Sequence, residues 1–476
     1  MASAWGRLPP LRRGALPRFP GWAAALGPGI VWMALAQGSG ELIWWPYLIA
    51  KYGLAFLCLL LPACLLQFPI NYAIGSYTLL TGESILQGFI RLHRGVGFVL
   101  WILMTLSFLW FGAFASAGGT ALAALTQFPA GWDERGQTLF WAYASMGVFF
   151  VALVFSRTVY TVVERFMEGV ALVTVVGLLV ACSHPTVVAH APAFFRALIV
   201  PPWPPARPWE AADATKFLTA ITFAGLGGFW TLFYSYWLRE KGAGMAKTMG
   251  HVEGLAGRHE VAFDTGIVPA DPPAGEIGRW RRFLAVDSAV GILGNVATTL
   301  MTCLLAFAVL HPQGLLPDKY ELAVVQSRFF ELAWGPAGRA LFLIVAAAFL
   351  SDTWMATADA VARIHTDCLL SFFPRLRRVP VRRWYLVCLV GLTVITAATT
   401  AIGEPGPLIL LSALIGFLGT ASYAVLLLAL NHRWLPRHVP AWACPQRWAA
   451  AGLVVAGVAY AALAVAYLWI RFGAPG

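Results

Sequence analysis

Charge is what this chain of 476 residues has least of. Asp, Glu, Lys and Arg make up 12% of it and apolar residues 59%, where a soluble domain carries about 25% and roughly 45–50%. So few charges cannot cover a water-facing surface, which excludes a soluble enzyme. Lysine is scarcer still, five residues against 28 arginines. None of the nine histidines falls in the middle of a long apolar run, and none recurs at the i, i+4 spacing of a metal site. The seven cysteines lack zinc-like spacing, and their odd number argues against a disulfide framework. No phosphate loop, nucleophile elbow or dinucleotide fingerprint sits on a strand–helix junction. What is plentiful is aromatic mass, 21 Trp and 31 Phe, far more than a disordered chain holds. The solvent for such a chain is lipid.

A helix crosses a hydrocarbon core of about 30 Å with about 20 apolar residues. Eleven stretches qualify: 22–50, 53–79, 95–127, 137–156, 161–183, 214–238, 283–311, 335–370, 382–402, 406–430 and 448–472. The ten-residue alternating segments of a barrel are absent, so the expected fold class is an all-α integral membrane protein of eleven transmembrane helices. With the N-terminus inside, cytoplasmic segments carry 23 of the 33 Lys and Arg residues, among them Arg7, Arg12, Arg13, Arg18, Arg279, Arg281, Arg282, Arg375 and Arg383. That asymmetry follows the positive-inside rule and places the C-terminus outside. Four arginines, an apolar run from Trp22 and the triplet Ala34-Leu35-Ala36 imitate a secretory signal, but the apolar stretch resumes at Leu42 and cleavage would cut a helix in half. The expected organisation is a cytoplasmic tail, 1–21, and a single transmembrane transporter domain, 22–472. The domain holds repeat one at 22–183, repeat two at 214–430 and an extra helix at 448–472. The expected setting is a bacterial inner (plasma) membrane; the partners are the bilayer and a small ion or molecule, with no nucleic acid.

Two spans are interrupted. The first opens Gly27-Pro28-Gly29 and reads Gln37-Gly38-Ser39-Gly40-Glu41 near mid-membrane. Each glycine costs a helix interior about 1 kcal/mol, and a carboxylate at the bilayer centre costs about 2.5–3.5 kcal/mol. The sixth span is interrupted by Gly225-Leu226-Gly227-Gly228 about 190 residues later. Paired Gly-interrupted segments in corresponding positions point to a transporter site between inverted repeats, where unwound carbonyls meet a cation and half-helix N-termini meet an anion. Gly112, Ser116 and Gly119 in the third span read instead as close helix packing.

On these residues the chain resembles the Nramp family (natural-resistance-associated macrophage proteins), proton-coupled divalent-metal transporters of the leucine-transporter fold. The resemblance rests on span count, an inside N-terminus, breaks in the first and sixth helices, and Gly27-Pro28-Gly29 followed eight residues later by a four-residue break. It implies a 5+5 inverted repeat plus one extra helix. Where the family has Asp-Pro-Gly-Asn, this chain has Gly38-Ser39-Gly40-Glu41, so its metal-binding Asp is replaced by Gly38 and its Asn by Glu41. The family's Met-Pro-His falls on Gly228-Phe229-Trp230, which removes the soft thioether that favours transition metals.

The eighth span carries the densest buried charge: Asp352, Asp359 and Arg363, with His365 and Asp367 near its inner end. Asp352 and Asp359 share a helix face about 10 Å apart, and Arg363 stands at ion-pair spacing from Asp359. Intramembrane ionisable groups mark ion or proton pathways, so Glu41, Asp352, Asp359 and Arg363 are the candidate coupling residues. A self-neutralising Asp359–Arg363 pair is the structural alternative. Gln37, Gly38, Glu41, Gly228, Thr231 and Asp352 form the candidate substrate or ion site, with Glu41 and Gln37 as metal ligands. The fold resemblance adds Thr353 and Thr357 as hydroxyl donors, and Tyr234 follows the second break. Asp287 reads as a solvated cap or gate residue, and Glu83, Glu164 and Glu168 as solvated charge pairs in inner loops.

The expectation is a non-enzymatic secondary transporter, without a bound cofactor, moving a divalent cation of the Mn²⁺/Fe²⁺/Mg²⁺ class with H⁺ as coupling ion. The alternative is a small organic solute driven by Na⁺ or H⁺ on the same fold, suggested by Trp230, Phe229 and Tyr234 beside the second break. A non-transporting receptor or assembly subunit is the reading from another class.

Overall fold

The computed structural model describes residues 8–38, 43–225, 227–258, 263, 266–270, 275–317 and 322–470. Among the described residues, ten helices are long and apolar enough to cross a membrane, from Leu57–Thr81 to Arg447–Leu468. They coincide with ten of the eleven expected spans. The first expected span is instead two short apolar helices, α1 (Pro28–Ala36) and α2 (Trp44–Tyr52). Residues 39–42 between them, Glu41 included, lie outside the described residues.

The other elements used below are α3 (Gln67–Thr81), α4 (Arg94–Phe108), α5 (Gly112–Thr126), α6 (Glu134–Val154) and α7 (Val159–Cys182). After a linker come α8 (Ala214–Phe223), α9 (Phe233–Glu240), α10 (Glu276–Leu305), α11 (Arg328–Phe372), α12 (Val381–Thr400), α13 (Pro405–Ala429) and α14 (Arg447–Leu468). α11 kinks at Gly335, before Pro336, where the ring removes a helix hydrogen bond.

Burial sorts these helices into two shells. α1, α2, α8, α9 and the middle of α11 are almost wholly buried. α6, α7, α12 and α14 present Val148, Leu172, Val176, Val394 and Val458 outward, as helices facing hydrocarbon do. The small residues of α5 allow close approach: a methyl group on Gly112 would overlap Thr396 and Thr400 of α12, and one on Gly119 would overlap Thr138 of α6. The packing reading of these glycines holds.

The basic segments gather on one face. Tail strand β1 (Arg12–Gly14) pairs in parallel with β2 (Ile267–Pro269) of the loop between α9 and α10. Phe19 N–H donates to Glu276 (2.8 Å), Trp280 Nε1 to the Pro17 carbonyl (2.8 Å), and Arg91 to the Pro9 carbonyl (2.9 Å). The tail and the 239–282 loop thus form one layer, here called the tail face. Glu83 lies in it as a charge pair, but a buried one, 1% exposed, bonded by Arg91 (2.7 and 2.6 Å) and Tyr77 (2.8 Å). Burial opposes the Arg91 charge, yet Glu83 holds that guanidinium above its ordinary value. The expectation of a solvated Glu83 is corrected: Gly266 of the 239–282 loop donates to it (2.9 Å), and its partner Arg91 reaches the tail.

Candidate functional site

The second break is explicit. α8 ends at Phe223, Gly225 and Gly228 adopt φ +71° and +69°, and a 3₁₀ turn, Gly228–Leu232, leads into α9. These are conformations that glycine adopts without strain. At the first break the α-helix stops at Ala36 and resumes at Trp44.

Both breaks lean on α11. A methyl group on Gly38 would overlap the Thr353 hydroxyl and the Phe349 carbonyl, so only glycine lets the first break lie against that helix. One turn further along α11, Thr357 accepts a hydrogen bond from Trp230 Nε1 of the second break (3.2 Å). Thr353 and Thr357, expected from the fold resemblance alone, are both points at which α11 meets the breaks. The Thr353 hydroxyl is committed to the Phe349 carbonyl (2.9 Å).

Gln37 and Asp352 flank the Gly38–Thr353 contact in sequence. They are 1% and 0% exposed. Neither the amide of Gln37 nor the carboxylate of Asp352 has a hydrogen-bond partner among the described residues. Polar groups so placed are costly unless something satisfies them.

The second break is better satisfied, although the amide oxygen of Gln67 beside it has no hydrogen-bond partner among the described residues. The Gly228 carbonyl accepts from Tyr423 of α13 (2.6 Å), and the Tyr423 hydroxyl also meets Thr231. Gln67 of α3 packs on Gly225 and Gly227 and donates to Tyr460 of α14. Trp230 is enclosed by Phe108, Phe114 and Phe223, with ring centroids 4.8, 6.2 and 5.3 Å away. Thr231 therefore faces α13, and Gly228 abuts Gly416 of the same helix.

Asp359 and Arg363 form the structural pair, with additions. Arg363 Nε donates to both Asp359 oxygens (2.9 and 3.0 Å), Tyr385 of α12 donates to Asp359 (2.8 Å), and the guanidinium also pairs with Glu240 at the end of α9. Asp367 is held by Ser84 and Tyr236, with Arg239 at 3.8 Å. His365 turns to α4, with Thr105 3.2 Å away. Tyr236, Arg239, Glu240, Arg363, Asp367 and Tyr385 line a cleft on the tail side.

Asp287 is not solvated. It is fully buried in α10 and accepts from Tyr234 (2.7 Å), so Tyr234 points to α10 rather than to Gly38. Glu164 belongs to α7, is buried, and pairs with Lys241 (2.7 Å); Glu168 is half-buried on the same helix. These correct the inner-loop reading. The apolar runs hid them because a helix of such low charge swallows a single ionised residue without breaking its pattern.

A further cluster escaped the sequence altogether. Lys51 of α2 donates to Glu210 (2.6 Å) and Asp213 (2.7 Å); Tyr47 and Tyr52 donate to Asp213 (3.1 and 2.7 Å), and Lys216 lies 3.6 Å away. It ties α2 to the start of α8 on the face opposite the tail. The partners stand about 160 residues apart, and no local spacing announces such a cluster.

No protein-family model matches the chain and no curated protein matches it. Solved structures do. A manganese transporter of Eremococcus coleocola, in complex with an aromatic bis-isothiourea compound, superposes with a TM-score of 0.64 at 14% identity, covering 100% of this chain and 93% of that one. A point mutant of that transporter gives 0.63 at 13% identity, over 98% and 92%. MhsT in complex with L-phenylalanine gives 0.54 at 15% identity, over 96% and 100%. The chain has the leucine-transporter fold. In that fold, helices one and six are the interrupted pair, and α1/α2 and α8/α9 occupy their places here.

Proposed function

We propose that this protein is a secondary active transporter that moves a hard divalent cation of the Mn²⁺/Fe²⁺/Mg²⁺ class by alternating access, coupled to protons, with its site at the first break. One observation carries the reading: Asp352 and Gln37, both fully buried and with unmatched polar atoms, are the chain neighbours of Thr353 and Gly38, which meet at the first break. An ionised carboxylate so deep needs a cation or a proton. Where the Nramp pattern places Asp, this chain has Gly38 pressed on α11, leaving no room for a longer side chain; the carboxylate of Asp352 stands instead on the facing helix. Among the described residues no three of His, Cys, Asp and Glu converge, so the cation would be held by Asp352, the Gln37 amide oxygen, bare carbonyls and Glu41. Such an oxygen set suits a hard ion.

The gathering of basic segments on the tail face supports a cytoplasmic tail in an inner (plasma) membrane. Fold likeness to a manganese transporter fits the cation reading, and likeness to a phenylalanine-bound transporter fits a second one. Trp230 and its ring of Phe residues would suit an apolar organic solute, with the orphaned acid serving its coupling ion.

Uptake of Mn²⁺ and Mg²⁺ into proteoliposomes distinguishes them. Asp352→Asn and Glu41→Gln are each expected to lower metal uptake by about a hundredfold, the scale of losing a buried charged ligand (about 3 kcal/mol). Wild-type uptake that ignores metals and is competed by aromatic amino acids would install the organic solute instead.

A further inference from the structure

On the face opposite the tail, two clefts lie beside the linker between α7 and α8. The first, of about 510 Å³, is walled by Arg196 and Pro202 of the linker, Tyr52 at the end of α2, and Phe307 and His311 beyond α10. The second, of about 360 Å³, lies between α8 and α14 and is lined by Phe56, Trp203, Trp209, Phe217, Leu463 and Ala466. Both have the size of small-ligand sites. They adjoin: Ala55 lines the first and Phe56 the second, and Trp203 of the second stands between Pro202 and Pro204 of the first. Tyr52 of the first cleft also meets Phe56 and Trp209 of the second, with ring centroids 5.6 and 5.3 Å away.

Their chemistries are opposite. The first presents two basic side chains, Arg196 and His311, and among the described residues no acidic one lines it. His311 is fixed in place: Nδ1 bonds the Ala50 carbonyl (2.9 Å), and the ring stacks on Phe307 with centroids 5.6 Å apart. A carbonyl only accepts, so the proton sits on Nδ1 and Nε2 is left outside that bond. Arg207 reaches the same turn, 3.6 Å from where a methyl group on Gly314 would lie. The second cleft has no charged side chain in its lining among the described residues. Around both, Phe195, Ile199 and Trp203 are exposed, as suits a segment at the membrane interface, where Trp sits at headgroup level.

We propose that the two clefts form one binding site for an anionic phospholipid of the leaflet opposite the tail. Arg196 and His311 hold its phosphodiester headgroup, and the apolar cleft holds an acyl chain. A guanidinium is matched to phosphate oxygens in charge and in fork geometry. A free phosphate would satisfy the basic cleft and leave the aromatic one without an occupant, and an uncharged lipid would do the reverse. An amphiphile with a charged head and an apolar chain fills both, and the bilayer supplies it. Because Tyr52 and His311 share the first cleft, the bound lipid braces the end of α2 against the turn beyond α10. Neither cargo nor coupling ion enters this inference, which goes beyond the transport reading.

Native mass spectrometry of the delipidated full-length protein in detergent, titrated with palmitoyl-oleoyl phosphatidylglycerol or phosphatidylcholine, tests this without any transport assay. Phosphatidylglycerol is expected to bind at least about fivefold more tightly than phosphatidylcholine, and Arg196→Gln to weaken it by about fivefold, the worth of one basic residue near a charged lipid. Ala466→Trp, which fills the apolar cleft, should weaken palmitoyl-oleoyl phosphatidylglycerol and spare its short dihexanoyl analogue. Arg135→Gln, outside both clefts, should change neither. Equal binding of the two long-chain lipids, binding of neither, or an effect of Arg135→Gln as large as that of Arg196→Gln overturns the proposal. Inorganic phosphate separates a free anion from a headgroup: if it raises the melting temperature as much as phosphatidylglycerol does, and Ala466→Trp alters neither shift, the site is an anion site and the lipid reading falls.

Discussion

The two breaks are built from the same residue type and differ in what remains unsatisfied. At the second, the Gly228 carbonyl, the Gln67 amide nitrogen and the Trp230 ring nitrogen all have partners from α13, α14 and α11. At the first, Gln37 and Asp352 have none among the described residues. Two openings in a helix are therefore not two equivalent half-sites: the second is closed by tyrosines and aromatic packing with the Gln67 amide oxygen alone left over among the groups named here, whereas the first leaves a whole amide and a whole carboxylate unmatched among the described residues.

Substitutions that spare one break and disturb the other sharpen that contrast. The largest effect is expected from Gly38→Ala. Its methyl group would enter the Thr353 hydroxyl, and overpacking of about 1–3 kcal/mol at the proposed cation site should lower uptake by up to about a hundredfold while the protein stays monodisperse. Near-normal uptake would show that the first break does not rest on α11 during transport. Tyr423→Phe removes one bond to the Gly228 carbonyl and should cost about 1 kcal/mol, close to fivefold in uptake; a loss as deep as that of Gly38→Ala would make the second break part of the site. Tyr460→Phe is the mildest. Gln67 loses its partner, melting temperature drops by a few degrees, as about 1 kcal/mol predicts, and uptake stays within about twofold, since the bond supports the break from behind.

Legibility divided along the same line. The spans, the breaks and the Asp359–Arg363 pair were readable because each is local: a run of about 20 apolar residues, a glycine cluster, an i, i+4 spacing. Gln37 and Asp352 were readable as unusual polar residues in apolar sequence. The partners of Asp287, Glu164, Glu83 and Lys51 were not, since Tyr234, Lys241, Gly266 and Asp213 come from elsewhere in the chain. Without those partners a carboxylate near a span end reads as solvated. Thr231 and Gly228 were grouped with Asp352 by nearness to a break, and packing turned both toward α13.

Sequence by itself determined that this chain lives in lipid, that it crosses as helices, and where two of them are interrupted, because burial of backbone polar groups in hydrocarbon leaves helices as the solution for long apolar runs. Tertiary structure alone decided which of the polar groups are matched. That depends on approaches of a few ångströms between helices distant in the chain: Gly38 on Thr353, Gly29 on Asp287, Tyr423 on Gly228. Hydrogen bonds are short-ranged and directional, so a residue's type shows that it needs a partner, and only the fold shows whether it has one.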